Sequence, residues 1–156
     1  MEETQETRDK PKKYNHGSAY RRNRHGTQFD TLMLANELKH KVTIYVMDEK
    51  HVPKKWRYFN GRPAADYARY IRDCVSAAND IWLDAKTPDG EKIKKRKELQ
   101  QKALSYCNIL QQQLADICAE CSGATPENMG GITDILGQLT GKIIKWSKSD
   151  STRLVN

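Results

Sequence analysis

The fold is decided by the stretch ALSYCNILQQQLADICAEC, residues 103–121. Its small and apolar residues recur at alternating spacings of four and three, at Ala103, Cys107, Leu110, Leu114, Ile117 and Cys121. This spacing is typical of a helix that packs against other helices in a bundle. Neither this stretch nor its continuation to Gly141 contains a lysine or arginine, although 27 of the 156 residues are basic. We therefore predict a bundle helix here and expect the positive charge to lie elsewhere.

Two other segments show the same helical spacing of apolar residues. The first runs through Leu34, Leu38, Val42 and Tyr45, and the last runs through Met129, Ile132, Leu136, Leu139, Ile143 and Trp146. Thr27 and Asp30 form a start signal of the capping-box kind before the first segment. We predict helices over about 28–49 and about 126–148, and place the helix quoted above at about 88–121.

Turn residues separate the predicted helices. Thr87 is positioned to cap the third helix, Gly123 to end it in the left-handed conformation, and Thr125 to open the fourth. Gly137 and Gly141 lie inside the fourth helix, where each costs about 1 kcal/mol relative to alanine. Close approach of a neighbouring helix would explain them.

The second helix is predicted over about 53–83. Its core stripe is read as Trp56, Phe59, Pro63, Tyr67, Tyr70, Cys74, Ala78 and Ile81, which point in similar directions on a helical projection. Because proline lacks an N–H, we expect a kink near Pro63, or a short first piece that ends before a second piece starts.

Four amphipathic helices joined by short turns predict an all-α protein, an up-down-up-down antiparallel four-helix bundle over residues 27–150. Residues 1–26 are expected to form a flexible basic arm that binds nucleic acid, or a plain solvated tail, and residues 151–156 are expected to fray. No apolar stretch approaches a membrane span, and the charged start does not resemble a signal peptide. Together with the four cysteines, this predicts a cytoplasmic protein with free thiols.

Positive charge occurs in four blocks rather than evenly, with a net charge of +7. In the predicted bundle, the arm, residues 86–102 and residues 142–153 gather at one end, and the outer face of the second helix adds further cations. Such segregation predicts a surface that faces a polyanion. The candidate nucleic-acid-binding residues are Lys54, Lys55, Arg57, Arg62, Arg69, Arg72, Lys92, Lys94, Lys95, Arg96, Lys97, Arg21, Arg22 and Arg24.

A salt-bridged, solvated surface is the alternative for part of this charge. Asp66 follows Arg62 by four residues and Asp73 follows Arg69 by four, so both arginines could be partly neutralised within the helix. The run from residue 92 to residue 97 has fewer acidic neighbours and is the stronger indication of a binding surface.

The sequence gives only weak evidence for a metal, redox or catalytic site. Cys118 and Cys121 have a spacing seen in metal and redox sites, but a metal needs two more ligands, and Cys121 lies on the core seam of its helix. None of the four histidines has a cysteine or carboxylate partner at catalytic or ligand spacing. We expect no enzyme activity, no metal and no cofactor.

Two motifs carry a resemblance to a known family. The run from Val52 to Tyr58, VPKKWRY, followed by Ala78-Asn79, resembles the second helix of small bacterial four-helix-bundle proteins. These include the accessory variability determinant (Avd) proteins of diversity-generating retroelements and the 23S ribosomal RNA intervening-sequence proteins. The run from Trp146 to Asp150, WSKSD, is similar to the ending of gut-bacterial members. The resemblance covers roughly residues 30–150.

The resemblance implies a function. Avd proteins form a ring of five whose basic surface engages the retroelement's reverse transcriptase and its template RNA, so a similar chain, encoded by a bacterium or phage, would be a non-catalytic cofactor for mutagenic cDNA synthesis. The resemblance implies that Lys54, Lys55 and Arg57, as a group, belong to this basic surface. The competing hypothesis is an oligomeric scaffold bundle that binds an acidic protein partner.

Overall fold

The protein is all-α, and the part of the chain that the structure describes contains four helices. A computed structural model describes residues 26–84, 86–87 and 89–153, and no β-strand occurs in these ranges. Helix α1 spans Gly26–Met47, α3 spans Gly90–Glu120 and α4 spans Gly130–Thr152. Helix α2 consists of three consecutive segments, Lys54–Trp56, Arg57–Gly61 and Arg62–Asp80. The all-α class is confirmed. The predicted arm over residues 1–26 lies outside the described residues except for Gly26, which begins α1 and is therefore wrongly assigned to the arm.

Each helix packs against two others. Helix α2 packs against α1 and α3, and α4 packs against the same two helices. The core residues predicted on α3, from Ala103 to Cys121, are all buried, and so are the six predicted from Met129 to Trp146. Large aliphatic side chains at three-four spacing identify these two faces correctly because their burial dominates the folding free energy.

The predicted core stripe of α2 is correct at Cys74 and Ala78, which are buried, but it is wrong at Phe59 and Tyr70. Phe59 is 67% exposed and Tyr70 is 37% exposed, whereas Ala64, Ala68 and Ile71 are fully buried. Helix α2 therefore presents its small residues to the core, and these recur at the same spacing of four and three. The prediction followed the aromatic residues because of their size.

A π turn explains part of this register shift. Over Arg57–Gly61 the helix widens, and the N–H of Arg62 donates to the carbonyl of Arg57, five residues earlier. Pro63 has no N–H to give to the carbonyl four residues before it, so the α-helical ladder is interrupted at this place. The backbone stays helical through Gly61 and Arg62, so α2 does not end and restart.

The helix starts differ from those predicted. Helix α1 already includes Thr27, so that residue is not its cap. Helix α3 begins behind Asp89, whose carboxylate accepts the N–H groups of Glu91 and Lys92 at 3.1 and 3.3 Å. Thr87 is therefore not the cap, and its hydroxyl donates to Asp84 instead.

The turn between α3 and α4 is fixed by Asn128. Its N–H donates to the Thr125 hydroxyl at 3.2 Å, and its side-chain oxygen accepts the N–H of Thr125 at 3.0 Å. This reciprocal pair holds residues 125–128 as a turn, so α4 starts at Gly130 rather than near 126. The same oxygen accepts the Tyr45 hydroxyl at 2.6 Å, which ties the turn to the end of α1.

Gly123 is required for space and not for a left-handed backbone. No glycine among the described residues has positive φ, so the predicted left-handed ending of α3 is wrong. A Cβ on Gly123 would overlap the carbonyl oxygen of Lys50 and lie 2.8 Å from its carbonyl carbon. By contrast, a Cβ on Gly137 or Gly141 would meet nothing within 4 Å, so close approach of a neighbouring helix in this chain does not explain them.

Helix α4 extends beyond its predicted end. It runs to Thr152, so the expected fraying is wrong at Ser151 and Thr152, and residues 154–156 lie outside the described residues. Within this extension Asp150 is buried and accepts a hydrogen bond from Gln100 of α3.

Candidate nucleic-acid interface

The predicted binding residues fall into two places. One group lies along α2, at Lys54, Lys55, Arg57, Arg62, Arg69 and Arg72. The other lies in the first turns of α3, at Lys92, Lys94, Lys95, Arg96 and Lys97. Arg21, Arg22 and Arg24 lie outside the described residues.

The arginines in the body of α2 are paired with acids on the same helix. Asp66 lies 3.8 Å from Arg62 and 3.3 Å from Arg69. Arg72 makes two hydrogen bonds to Asp73, at 2.9 and 2.7 Å. Such exposed pairs add little stability, but they reduce the positive potential that a polyanion would meet. The salt-bridge alternative thus describes this part of the surface, although Arg69 pairs with Asp66 and not with the predicted Asp73.

The start of α2 is partly neutralised, because Lys54 and Arg57 share one acid. Glu49 lies 3.3 Å from the Lys54 ammonium and 3.6 Å from Arg57. Arg57 also donates to the carbonyl of Met47 at 2.8 Å, which satisfies an acceptor at the end of α1. Lys55 lies 6.0 Å from the Trp56 ring and forms no ion pair within the described part of the chain.

Arg96 is wrongly predicted as a contact residue, because it is only 1% exposed. Its Nε lies 3.1 Å from an Asp150 carboxylate oxygen as an ion pair, outside hydrogen-bonding geometry. The guanidinium carbon also lies 4.8 Å from the centroid of the Trp146 ring. Burial lowers the pKa of Arg96, and the neighbouring Asp150 carboxylate opposes that shift. Arg96 therefore belongs to the core.

A signal for this buried pair was present in the sequence. Ile93, Arg96 and Gln100 continue the three-four spacing of α3 backwards from Ala103, and Asp150 follows Trp146 by four residues. All these positions are buried. The WSKSD motif thus buries its tryptophan and aspartate together on α3.

Six cations without an ion pair to any described residue lie together where α3 starts and α4 ends. Asp150 accepts from Gln100 at 2.8 Å, and Lys97 donates to Ser151 at 2.7 Å, so the two segments are held together. We call the cations on them the basic end: Lys92, Lys94, Lys95, Lys97, Lys148 and Arg153. Within the described part of the chain none of the six forms an ion pair.

A shallow groove crosses this end of the molecule. Gly90, Lys94, Lys97, Glu98 and Gln101 line it. Lys94 is exposed and Lys97 is half-buried, so the groove offers ammonium groups along an open surface. This geometry suits an extended anionic ligand better than a small molecule that requires enclosure.

Three tyrosines form a cluster between α2 and α3 that the sequence prediction missed. Tyr106 lies 5.3 Å from Tyr70 and 6.4 Å from Tyr67, measured between ring centroids. The Arg69 guanidinium lies 5.3 Å from the centroid of Tyr70. The sequence predicts Tyr67 and Tyr70 as core residues. Tyr67 packs against the core, whereas Tyr70 is 37% exposed.

The cysteines and His51 have structural surroundings. Burial raises the pKa of all four thiols, that of Cys107 to about 11, which keeps them protonated and unreactive near neutral pH. His51 stacks on Tyr45 with ring centroids 4.0 Å apart. No group of three or more metal-ligating side chains occurs among the residues that the structure describes.

None of the protein-family models, curated proteins and solved structures compared with this chain matches it. Within the described ranges, no helix has both the length and the apolar character needed to cross a membrane.

Proposed function

We propose that this chain is a non-catalytic nucleic-acid-binding accessory protein. The observation that carries the proposal is the basic end, where six cations lie together without an ion pair among the described residues, whereas each arginine of α2 is within ion-pair distance of an acid. A polyanion binds most tightly where cations are not already paired. Each contact there releases counterions from the nucleic acid without breaking an ion pair of the protein.

The retroelement role rests on the family resemblance of the α2 and WSKSD motifs. On this basis the partners are a reverse transcriptase and its template RNA, and the activity supported is mutagenic cDNA synthesis in the cytoplasm of a bacterium. On the same resemblance we propose that the protein forms a homo-oligomer, a ring of five. No cofactor is part of the proposal.

The proposed arrangement of the helices is an up-down-up-down antiparallel bundle with a basic N-terminal arm. Contacts at both ends of the helices support it. Asn60 near the start of α2 donates to Glu120 at the end of α3, at 2.6 Å, and Arg96 near the start of α3 meets Asp150 at the end of α4. This arrangement adds the charge of the arm to the basic end.

A salt titration tests nucleic-acid binding. We expect the logarithm of the RNA affinity to fall linearly with the logarithm of salt concentration, with a slope of about −0.7 to −0.9 for each phosphate contacted. The double variant Lys94→Ala/Lys95→Ala should make that slope shallower by about 1.5. Filter binding over a range of salt concentrations measures both quantities.

The matched control is Lys41→Ala/Lys54→Ala, which removes the same formal charge from two lysines that are paired with Glu37 and Glu49. We expect it to leave the slope unchanged. An equal effect of both double variants would mean that net charge, and not the basic end, determines affinity. The absence of RNA binding at low salt would disprove the proposed function.

An oligomeric scaffold that binds an acidic protein is the second candidate, and one observation favours it. Ile44, Met47, Tyr58 and Phe59, all at least 58% exposed, lie where α1 ends and α2 begins. Exposed apolar groups near cations are typical of a protein-binding surface. Association with a partner that persists after nuclease treatment would support this candidate over nucleic-acid binding.

A further inference from the structure

The tyrosine cluster between α2 and α3 lies beside a row of cations that begins at the basic end. Lys95, Lys102 and Tyr106 are spaced by seven and four residues, so they share one face of α3. Lys95 and Lys102 are both exposed. At 1.5 Å per residue the row extends about 16 Å along the helix. It therefore leads from the unpaired lysines to the aromatic rings, with the exposed Glu98 between Lys95 and Lys102 on the same face.

The rings are arranged as a partly open platform. Tyr70 and Tyr106 are inclined to each other by 45°, and Tyr67 and Tyr106 by 30°. Tyr70 is 37% exposed and Tyr106 is half-buried, so part of each ring remains accessible. None of the three hydroxyls makes a hydrogen bond within the described part of the chain. The hydroxyls are thus available to a ligand.

The charged groups around the platform are mostly positive. Arg69 lies over Tyr70, and Lys102 acts electrostatically on the neighbouring Cys74 thiol. Asp66 and Asp73 are the acids on the same part of α2, and each already forms an ion pair with an arginine. An anionic ligand with flat, apolar surfaces matches this combination of rings and cations.

We infer that this face binds single-stranded nucleic acid, with phosphates on Lys95 and Lys102 and unpaired bases against Tyr70 and Tyr106. The inference rests on the proposed function and narrows its ligand to unpaired strands. A duplex meets the same lysines through its phosphates, but its bases are already stacked on each other and cannot use the rings. Stacking on an aromatic side chain is tolerant of sequence, so no base preference is required.

The test compares single-stranded and duplex RNA on the full chain. Fluorescence anisotropy is measured with a labelled oligouridylate, with a duplex and with heparin, which has charge but no bases. We expect Tyr70→Ala and Tyr106→Ala each to weaken oligouridylate binding about tenfold and to leave duplex and heparin binding unchanged. The phenylalanine variants should bind as the wild type does, because they keep the ring.

Tyr58→Ala is the matched control, because Tyr58 is 70% exposed but lies near the start of α2, away from the row. It should not change oligouridylate binding. Circular dichroism establishes that each variant is folded, and Tyr106→Leu replaces Tyr106→Ala if the alanine variant unfolds.

Two results overturn the inference and can be told apart. If wild-type protein binds no RNA and no heparin, the proposed function fails and the inference fails with it. If it binds both, but the tyrosine variants bind oligouridylate as wild type does or lose duplex affinity equally, only the inference fails. In the latter case the cluster packs α2 against α3 without contacting bases.

Discussion

Asp150 is the residue that most changes the interpretation of the charged sequence. Its carboxylate is 1% exposed and contacts both Arg96 and Gln100 of α3. A buried ion pair need not be more stabilising than an apolar pair of the same volume, because both charges lose their water. Its geometry is more demanding, however, since each charge needs its partner. The pair therefore fixes the register of the last turn of α4 on α3.

Removing one partner of this pair should be costly. We expect Asp150→Ala to reduce the free energy of unfolding by about 3–5 kcal/mol, because it leaves the Arg96 charge buried and unpaired. The double variant Arg96→Met/Asp150→Leu should recover most of that loss. Urea denaturation of the three proteins gives the comparison, and a loss below about 1 kcal/mol in the single variant would contradict burial of the pair.

Tyr45 makes the stability of the fold depend on pH in the alkaline range. Burial raises the pKa of Tyr45 from 10.0 to about 12. Between these values the unfolded chain loses the proton more readily than the folded chain does, so stability is fully present below pH 10 and falls as the pH rises toward 12.

Urea denaturation at a series of pH values measures this effect. Tyr45→Phe should lose stability at neutral pH, because Asn128 loses its 2.6 Å hydrogen bond, and should show a smaller decline above pH 10. An unchanged decline in the variant would assign the alkaline transition to other groups.

At the scale of the helix, the sequence predicts α3 and α4 better than α2. Leucine and isoleucine dominate the seams of α3 and α4, so burial and spacing agree. In α2, Ala64 and Ala68 face the core while the bulkier Phe59 and Tyr70 do not. Small residues contribute little to an apolar stripe read from sequence, and a π turn that changes the register cannot be recognised from spacing alone.

Substitution by alanine should lower the stability of the protein at Gly123 in the turn and raise it at Gly137 in α4. Gly123→Ala places a Cβ on the Lys50 carbonyl, where backbone meets backbone, so we expect a loss of several kcal/mol. Gly137→Ala meets open space on α4 and should add about 1 kcal/mol, because alanine favours the helix. Thermal unfolding of both variants measures the difference, and a stabilised Gly123→Ala protein would rule out this close approach of the two turns.

At the scale of the whole molecule, the candidate interface could be predicted only in part. Charge segregation in the sequence indicates a basic surface, but it does not distinguish paired from unpaired cations. That distinction depends on rotamers and on contacts between distant segments, as Lys97 with Ser151 illustrates. The salt titration proposed above belongs to this scale, because its slope reports the summed contacts of the basic end.

The hydrogen bond between Tyr45 and Asn128 joins residues that are 83 positions apart. During synthesis on a ribosome, α1 emerges long before the turn between α3 and α4, which contains Asn128. The apolar face of the first helix therefore stays incompletely covered until α4, which packs against it, has been made. A chain truncated before Asn128 lacks both this hydrogen bond and α4, so it should be a substrate for chaperones rather than a stable domain.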